Sequence, residues 1–304
     1  MEFLRSLANI RNPFLDAVMQ FFTSFGEESL FILLALAFFW CIDKKRGYFL
    51  LFTGFAGIAI NQILKMAFRI PRPWVLDPEF EIVSTAREQA TGYSFPSGHT
   101  QVASTLYGGI ARSAKKKWGC IAGISLTVLV AFSRMYLGVH TPKDVLVSLA
   151  IGAVFVLTLY PVIDRFLEKP AVMLSILAVM ILVCIGNLIF LYTYPFPADV
   201  DTENYRDALE TGWKLLGMVF GMCLVYPLDH YKIKFTTEAP LGIQICKLLG
   251  GFAVVMAVRI ALKAPLNLLL GAPIGGAVRY FLMVLTAGAG IPSLFRFLPK
   301  RESK

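Results

Sequence analysis

Residues 117–166 decide how this chain folds, and they read KWGCIAGISLTVLVAFSRMYLGVHTPKDVLVSLAIGAVFVLTLYPVIDRF. Two apolar runs, each long enough to cross a bilayer as a helix, flank the polar stretch SRMYLGVHTPKD at 133–144. The sequence therefore predicts two membrane-spanning helices that are joined by a polar turn at the membrane surface.

The whole chain has the composition of a membrane protein. Of its 304 residues, 57% are hydrophobic and only 16% are charged, which is too apolar for a soluble domain of this size. The net charge is +9, but the basic residues collect in short loops between apolar runs, so we expect a lipid bilayer and no nucleic acid as partner. The five cysteines lie in or beside apolar segments without paired spacing, so neither a disulfide nor a metal centre is predicted.

Nine apolar segments predict nine transmembrane helices, so the expected fold is an all-α, polytopic helical membrane bundle. The segments lie at roughly 27–42, 46–67, 97–113, 117–136, 144–166, 170–194, 212–228, 241–263 and 274–297. Three regions follow, namely an amphipathic interfacial segment at 1–26, a core of five transmembrane helices at 27–169, and an additional membrane region of about four at 170–304. An ordinary packed surface helix is an equally good interpretation of residues 1–26.

Loop charges predict the orientation of these helices. Basic clusters at 44–46, 112–117, 165–169, 232–234 and 300–304 all fall on one side of a nine-span bundle, and that side should be cytoplasmic. The opposite side carries the loop at 68–96, the turn around His140 and an acidic loop at 199–210. The positive-inside rule does not explain the basic residues on the translocated side. The binding of an anionic ligand would explain them.

The stretch GYSFPSGHTQ at 92–101 predicts a loop that leads into a helix. Ser97 is a favourable N-cap and Gly98 leaves its amide unobstructed, so the helix start offers N–H groups to an anion. His99 lies in the first turn, where it can donate a proton to a leaving oxygen. An ordinary N-cap beside a satisfied interfacial histidine explains this stretch alone equally well.

His140 and Asp144 lie four residues apart at the other polar turn. If a helix begins with Pro142 at its first position, the Asp144 carboxylate accepts the N–H of one ring nitrogen of His140 and leaves the other free to attack. Arg134 ends the previous helix and reaches the same anion. Helix capping is the alternative role of Asp144, but two of the chain's three histidines fall in these polar stretches.

Three basic residues lie at the end of the second predicted span or shortly after it, namely Lys65, Arg69 and Arg72. Arg72 lies between two prolines, which stiffen its backbone. An arginine fork fits phosphate oxygens, and a lysine adds a point charge. A basic flank that snorkels to lipid head groups is the alternative, and it is the preferred interpretation of Arg69.

Together these stretches resemble the three motifs of the type 2 phosphatidic acid phosphatase family. The family pattern is Lys, six residues, Arg-Pro; then Pro-Ser-Gly-His; then Ser-Arg, five residues, His, three residues, Asp, and every position is present here. The resemblance covers about residues 27–166. The residues around the motifs are most similar to those of bacterial members related to sphingoid-base phosphate phosphatases. It says nothing firm about residues 170–304.

The resemblance implies a role for each matched residue. His140 is expected to be the nucleophile that becomes phosphohistidine, His99 the general acid, and Asp144 the residue that orients His140. The residues expected to hold the substrate phosphate are Lys65, Arg72, Ser97, Gly98 and Arg134. The resemblance implies no metal and no other cofactor.

The expected function is the metal-independent dephosphorylation of a membrane lipid phosphate or diphosphate, by a multi-pass inner-membrane protein with an extracytoplasmic active site. A lipid phosphotransferase differs only in the acceptor. A phospholipid transporter or flippase with a phosphatase-like half is a further alternative, motivated by the extra spans and by the Gly/Pro-interrupted stretch at 264–279. The identity of the lipid, and whether the chain forms a homo-oligomer, stay open.

Overall fold

The structure, a computed structural model, describes residues 1–88 and 90–299, and most of this part is helical. No strand occurs in that part, which confirms the all-α class. The predicted basic cluster at 300–304 lies outside the described residues. The helices of the first half are α1 (Glu2–Ala8), α2 (Pro13–Ser24), α3 (Glu28–Ala37), α4 (Lys44–Phe68), α5 (Pro73–Leu76), α6 (Gly98–Ser113), α7 (Lys117–Tyr136) and α8 (Pro142–Phe166).

The second half continues in the same way. Its helices are α9 (Pro170–Thr193), α10 (Thr202–Leu228), α11 (Leu241–Ala261), α12 (Lys263–Leu270), α13 (Ala272–Leu285) and α14 (Ile291–Leu294). Turns of π-helix extend α3, α10 and α13 over Phe38–Ile42, Asp229–Ile233 and Thr286–Gly290. Short 3₁₀ turns lie at Ser84–Ala86 and Phe295–Phe297.

The chain is a polytopic helical membrane protein. Among the described residues, seven helical stretches are long and apolar enough to cross a membrane, namely Lys44–Leu76, Lys117–Tyr136, Pro142–Phe166, Pro170–Thr193, Thr202–Ile233, Leu241–Leu270 and Ala272–Phe297. Helices α2 and α3, which are bent by 50° at their junction, add an eighth stretch if they form one broken span.

The predicted count of nine spans depends on helix α6, which forms where the sequence predicts the third span. Helix α6 has 16 residues, so at 1.5 Å per residue it is about 24 Å long. That length falls a few Å short of the roughly 30 Å hydrocarbon core. Length and composition therefore do not establish α6 as a span, and the count of nine stays a prediction.

Two compact units make up the chain, and both are discontinuous in sequence. Unit 1 comprises Met1–Phe31, Phe52–Tyr160 and Pro197–Ala208. Unit 2 comprises Ile32–Leu51, Pro161–Phe196 and Leu209–Lys304. All the site residues predicted from the sequence belong to unit 1. The division into 1–26, 27–169 and 170–304 follows chain order and stays a prediction.

In unit 1, helices α6 and α7 approach closely because a glycine stands where they meet. A Cβ added to Gly123 of α7 would lie 2.5 Å from the carbonyl oxygen of Tyr107 and 2.9 Å from Cβ of Ala111, both on α6. Since real Cβ atoms essentially never come so near a backbone oxygen, only glycine fits this position without a shift of one helix.

The loop between α5 and α6 is tied to the end of α7. Arg11 donates from Nη1 to the carbonyl of Glu81 at 2.6 Å and from Nε to the carbonyl of Tyr136 at 2.9 Å. The Tyr136 hydroxyl donates to Asp16 of α2 at 2.9 Å.

Beneath the loop lies a buried apolar cluster of Ala86, Ala90, Tyr136, Leu137 and Val139. This cluster fixes the backbone that leads directly into His140.

In unit 2, a buried aspartate joins the end of α10 to the start of α4. The Asp229 carboxylate accepts from Nζ of Lys44 at 2.6 Å and from the Tyr48 hydroxyl at 2.8 Å. Lys44 also lies 4.2 Å from the ring centroid of Phe235. Because Asp229 is only 2% exposed, these two donors compensate for the water that its carboxylate loses on burial.

Replacement of Gly123 by alanine tests the packing of α6 on α7. We expect Gly123→Ala to destabilise the protein by about 1–3 kcal/mol, because the new methyl group overlaps the α6 backbone. Gly108→Ala on α6 is the matched control, since a Cβ there lies 3.8 Å from Val156, an ordinary contact. Thermal unfolding of both variants in detergent measures the difference, and equal midpoints would contradict this packing.

Candidate active site

His140 lies in the turn between α7 and α8 with 1% of its side chain exposed. Its Nε2 is 2.9 Å from Nη1 of Arg72, and its Nδ1 is 3.5 Å from Oδ2 of Asp144. Because a guanidinium only donates, Nε2 is the acceptor, and the ring proton of the neutral histidine belongs on Nδ1, toward the carboxylate. The ring therefore presents its free electron pair on Nε2.

Asp144 is oriented by the start of α8, which begins at Pro142 as the sequence predicts. Its Oδ2 accepts from the backbone N–H of Thr141 at 2.8 Å and from the Ser94 hydroxyl at 2.6 Å. The Asp144 backbone N–H donates in return to the Thr141 hydroxyl at 3.4 Å. This reciprocal pair is a capping box. Asp144 thus caps the helix and also lies beside His140, and its role in orienting the ring stays a prediction.

Ser94 is the site residue that sequence reasoning missed. Its Oγ lies 3.5 Å from Nδ1 of His140 in addition to its bond to Asp144. The backbone N–H of Ser94 donates to the carbonyl of Ile70 at 2.8 Å, which fixes the loop. Ser94 and Asp144 are 50 residues apart in the sequence, so no local pattern predicts their contact. The sequence shows only a serine within the apolar stretch Tyr-Ser-Phe-Pro at 93–96, and its complete burial is visible in the structure alone.

Arg72 is held in place by the backbone that surrounds His140. Its Nε and Nη2 donate to the carbonyls of Gly92 at 2.9 Å and Thr91 at 2.5 Å. Its Nη1 donates to the carbonyl of Val139 at 3.0 Å as well as facing His140. The guanidinium is 6% exposed, so its direction is set by the fold. Of these contacts, the one between Nη1 and His140 is the contact that a bound anion would exchange.

Lys65, near the end of α4, contacts the same loop as Arg72. Its side chain is buried, and Nζ donates to the carbonyl of Tyr93. Arg69 turns back toward its own helix, where Nη1 donates to the carbonyl of Met66 at 2.8 Å. Arg69 therefore caps the end of α4, while Lys65 points to the loop that carries Ser94.

The start of α6 is a capped helix N-terminus that is joined to α8. Ser97 is the N-cap, as predicted, and its Oγ accepts from the backbone N–H of Thr100 at 3.4 Å. The Ser97 backbone N–H donates to the carbonyl of Asp144 at 3.2 Å, and the Ser148 hydroxyl donates to the carbonyl of Ser97 at 2.9 Å. A Cβ added to Gly98 would meet nothing within 4 Å, so there is open space at the first turn.

His99 and Arg134 both hold buried nitrogens without a hydrogen-bond partner in the described part of the chain. These atoms are Nε2 of His99, and Nε and Nη2 of Arg134. The remaining Arg134 nitrogen, Nη1, donates to the Thr23 hydroxyl at 2.7 Å. Buried polar groups of this kind are costly unless they are bonded, so they favour an anion as their ligand.

The cluster combines three cationic side chains with one unprotonated ring nitrogen, Nε2 of His140. Arg72, Arg134 and Lys65 supply positive charge, and they lie within electrostatic range of both histidines. Within the described ranges, no group of three or more His, Cys, Asp or Glu residues is arranged to hold a metal ion. Cationic side chains and a capped helix N-terminus are both suited to a tetrahedral oxyanion.

Two family models match the sequence. One, described as the PAP2 superfamily, matches residues 46–168 and contains all of the predicted site residues. The other, described as a PAP2 superfamily phosphatase transmembrane extension, matches residues 213–303. The second match covers most of the C-terminal region, for which the motifs gave no information.

Similar proteins carry the names of lipid phosphatases. Over 142 residues the chain is 31% identical to an undecaprenyl-diphosphatase of Sulfolobus acidocaldarius, covering 46% of this chain and 66% of that protein. It is 30% identical to phosphatidylglycerophosphatase B of Bacillus subtilis, covering 53% and 79%, and 24% identical to human sphingosine-1-phosphate phosphatase 2, covering 64% and 50%. The matches thus span from half to about four fifths of these relatives' lengths. No solved structure gives a significant match.

Acidification should destabilise the fold through His140. Burial lowers the pKa of His140 well below its ordinary value, and the nearby charges of Arg72, Arg134 and Lys65 lower it further. Below about pH 6.5 the unfolded chain binds a proton at His140 that the folded chain does not, so stability falls by up to about 1.4 kcal/mol per pH unit. Between about pH 7 and pH 5, the unfolding midpoint of the wild type should fall further than that of His140→Gln. Parallel curves for the two proteins would contradict the lowered pKa.

Proposed function

The chain belongs to the PAP2 superfamily, and on that premise we propose that it removes a phosphoryl group from a lipid phosphate or lipid diphosphate. The observation that carries the proposal is the buried His140, whose Nε2 faces a guanidinium while Nδ1 faces a carboxylate. The names of the similar proteins support a lipid as the rest of the substrate, since they include a lipid diphosphatase and lipid monoester phosphatases.

The first step of the proposed reaction is attack by Nε2 of His140 on phosphorus. A bond forms between Nε2 and phosphorus, and the bond between phosphorus and the leaving oxygen breaks with its electron pair. The ring becomes positively charged as it is phosphorylated, and Asp144 stabilises that charge through Nδ1–H. Water then attacks phosphorus, the bond to Nε2 breaks, and inorganic phosphate leaves.

His99 is proposed to protonate the leaving oxygen. Its position in the first turn of α6 puts it beside the open space at Gly98, and its Nε2 has no bond within the described residues. After it has given up its proton, the same nitrogen is able to accept one from the attacking water. A single histidine thus serves both half-reactions as acid and then as base.

The cations are proposed to supply most of the rate acceleration. Charge spreads over the phosphoryl oxygens in the transition state, and Arg72, Arg134 and Lys65 are already oriented by bonds to the protein. Preoriented donors in a buried site stabilise developing charge without reorganising. Because these side chains carry the positive charge, the proposed reaction is metal-independent.

The active site is proposed to face away from the cytoplasm, in a multi-pass protein of the inner membrane. Loop charge supports this orientation, because the basic turns at 44–46, 112–117 and 165–169 lie on the other side of a nine-span bundle. A lipid phosphate whose head group lies at the outer surface then reaches the site while its chains stay in the bilayer.

Phosphate release from purified protein tests the function. In the presence of a chelator, the wild type should release phosphate from a panel of lipid phosphates and diphosphates, and His140→Ala should release none. His230→Ala removes the third histidine, which lies in unit 2, and should leave the rate unchanged. Activity that needs added magnesium or zinc, or that survives in His140→Ala, would contradict the proposal.

The same assay, run on substrates with different leaving groups, distinguishes the role of His99 from that of His140. His99→Ala removes the proton donor and should slow release from an alkyl phosphate by roughly 10²–10⁴-fold. Release from a diphosphate lipid should slow less, because its leaving oxygen departs more easily without a proton. Equal losses on both substrates would show that His99 only binds phosphate.

Cysteine labelling tests the orientation. In a variant without the five native cysteines, single cysteines at the exposed positions Glu79 and Lys116 should react from opposite sides in intact cells, with only Glu79→Cys open to an impermeant reagent. Glu79 lies in the loop that precedes α6, and Lys116 lies in the turn between α6 and α7. Labelling of both from the same side would overturn the proposed topology.

A further inference from the structure

A second pocket, with a strongly basic lining, lies at one end of unit 2. It has a volume of about 420 Å³ and is formed by the end of α10, the loop that follows, α11 and the residues after α14. Its charged lining residues are Lys232, Lys234, Lys247, Arg296 and Glu238. Four cations against one carboxylate leave three net positive charges in the pocket.

Lys247 provides a second and independent observation. The side chain is only 5% exposed, although it lies less than two turns from the start of α11. Its Nζ donates to the carbonyl of Trp40 at 2.7 Å and lies 4.3 Å from the ring centroid of Phe295. A carbonyl and an aromatic face attract an ammonium but do not neutralise it. A buried ammonium is costly without an anion, so this arrangement favours an anionic ligand.

The other cations are available to the same ligand. Lys232, Lys234 and Arg296 are exposed, and none of them forms an ion pair in the part of the chain that the structure describes. Their three charges therefore add to that of Lys247 instead of being cancelled locally. The Glu238 carboxylate offsets part of this charge, and it repels a ligand of high negative charge density that approaches the loop on which it lies.

The uncharged walls of the pocket are largely apolar. Phe235, Phe295, Leu298 and Ile233 line it beside the basic groups. Cations that surround an apolar wall at the end of membrane helices match a ligand with an anionic head and hydrocarbon chains. The topology predicted from the sequence puts this end of the helices at the cytoplasmic surface, where anionic lipids concentrate.

We infer that this pocket binds the phosphate-bearing head group of an anionic phospholipid from the surrounding leaflet. Lys247 contacts the phosphate from inside the pocket, Lys232, Lys234 and Arg296 surround it from the rim, and the acyl chains pass over the apolar wall. The residues that line this pocket all belong to unit 2, whereas the proposed catalytic residues all belong to unit 1.

Native mass spectrometry of the full-length protein in a neutral detergent tests the inference. The wild type should bind phosphatidylglycerol more tightly than phosphatidylcholine. The double variant Lys232→Gln/Arg296→Gln removes two rim charges and should weaken phosphatidylglycerol binding roughly 30-fold. Lys115→Gln/Lys116→Gln is the matched control, because it removes the same charge from an exposed loop of unit 1 and should bind as the wild type does.

Several results would overturn the inference. Equal weakening in the control variant would show that net charge alone attracts the lipid, and equal affinity for both lipids would exclude recognition of the charged head group. Binding of glycerol phosphate or inorganic phosphate in place of phosphatidylglycerol would assign the pocket to a soluble ligand. Because Lys247→Gln could disturb folding, the rim variants carry the test. Their unchanged phosphate release would separate this result from the fate of the proposed catalytic function.

Discussion

One buried imidazole, held between a donor and an acceptor, is the constraint on which the site depends. Arg72 faces Nε2 of His140 and Asp144 faces Nδ1. The first contact defines which nitrogen has the free electron pair, and the second defines where the proton lies. If the ring were free to turn or to change tautomer, its free electron pair would no longer have a fixed position among the cations around it.

The rest of unit 1 can be understood as the support for that imidazole. Arg72 is fixed by the carbonyls at 91–92 and by that of Val139, and Asp144 is fixed by Ser94 and by the start of α8. The backbone carbonyl of Asp144 accepts from the backbone N–H of Ser97, which joins the start of α6 to the start of α8. Four stretches that are distant in sequence thus meet at one site, through bonds of the Arg72 and Asp144 side chains to backbone groups and to the Ser94 hydroxyl. The geometry is therefore preorganised, as electrostatic catalysis requires.

The sequence predicted the features that depend on local chemistry. Pro142 at a helix start, Ser97 as an N-cap and the spacing of His140 and Asp144 all follow from short-range rules. Contacts across long separations could not be predicted in this way, and the bonds of Ser94 to Asp144 and of Arg134 to Thr23 are of that kind. Hydropathy located every long apolar helix, but it did not show the 50° bend between α2 and α3 or establish the short helix α6 as a span. Interleaving of the two units was equally hidden, because it depends on tertiary contacts and not on segment order.

In the proposed reaction, the phosphoryl group passes through a covalent bond to His140 before it reaches water. The stereochemical course at phosphorus tests this most directly, with a lipid phosphorothioate made chiral by oxygen isotopes and hydrolysed in isotopically labelled water. Each in-line displacement inverts phosphorus, so two successive displacements restore the original configuration. We therefore expect net retention of configuration in the released thiophosphate. Net inversion would show that water attacks the lipid phosphate directly, and it would contradict the role of His140 as nucleophile.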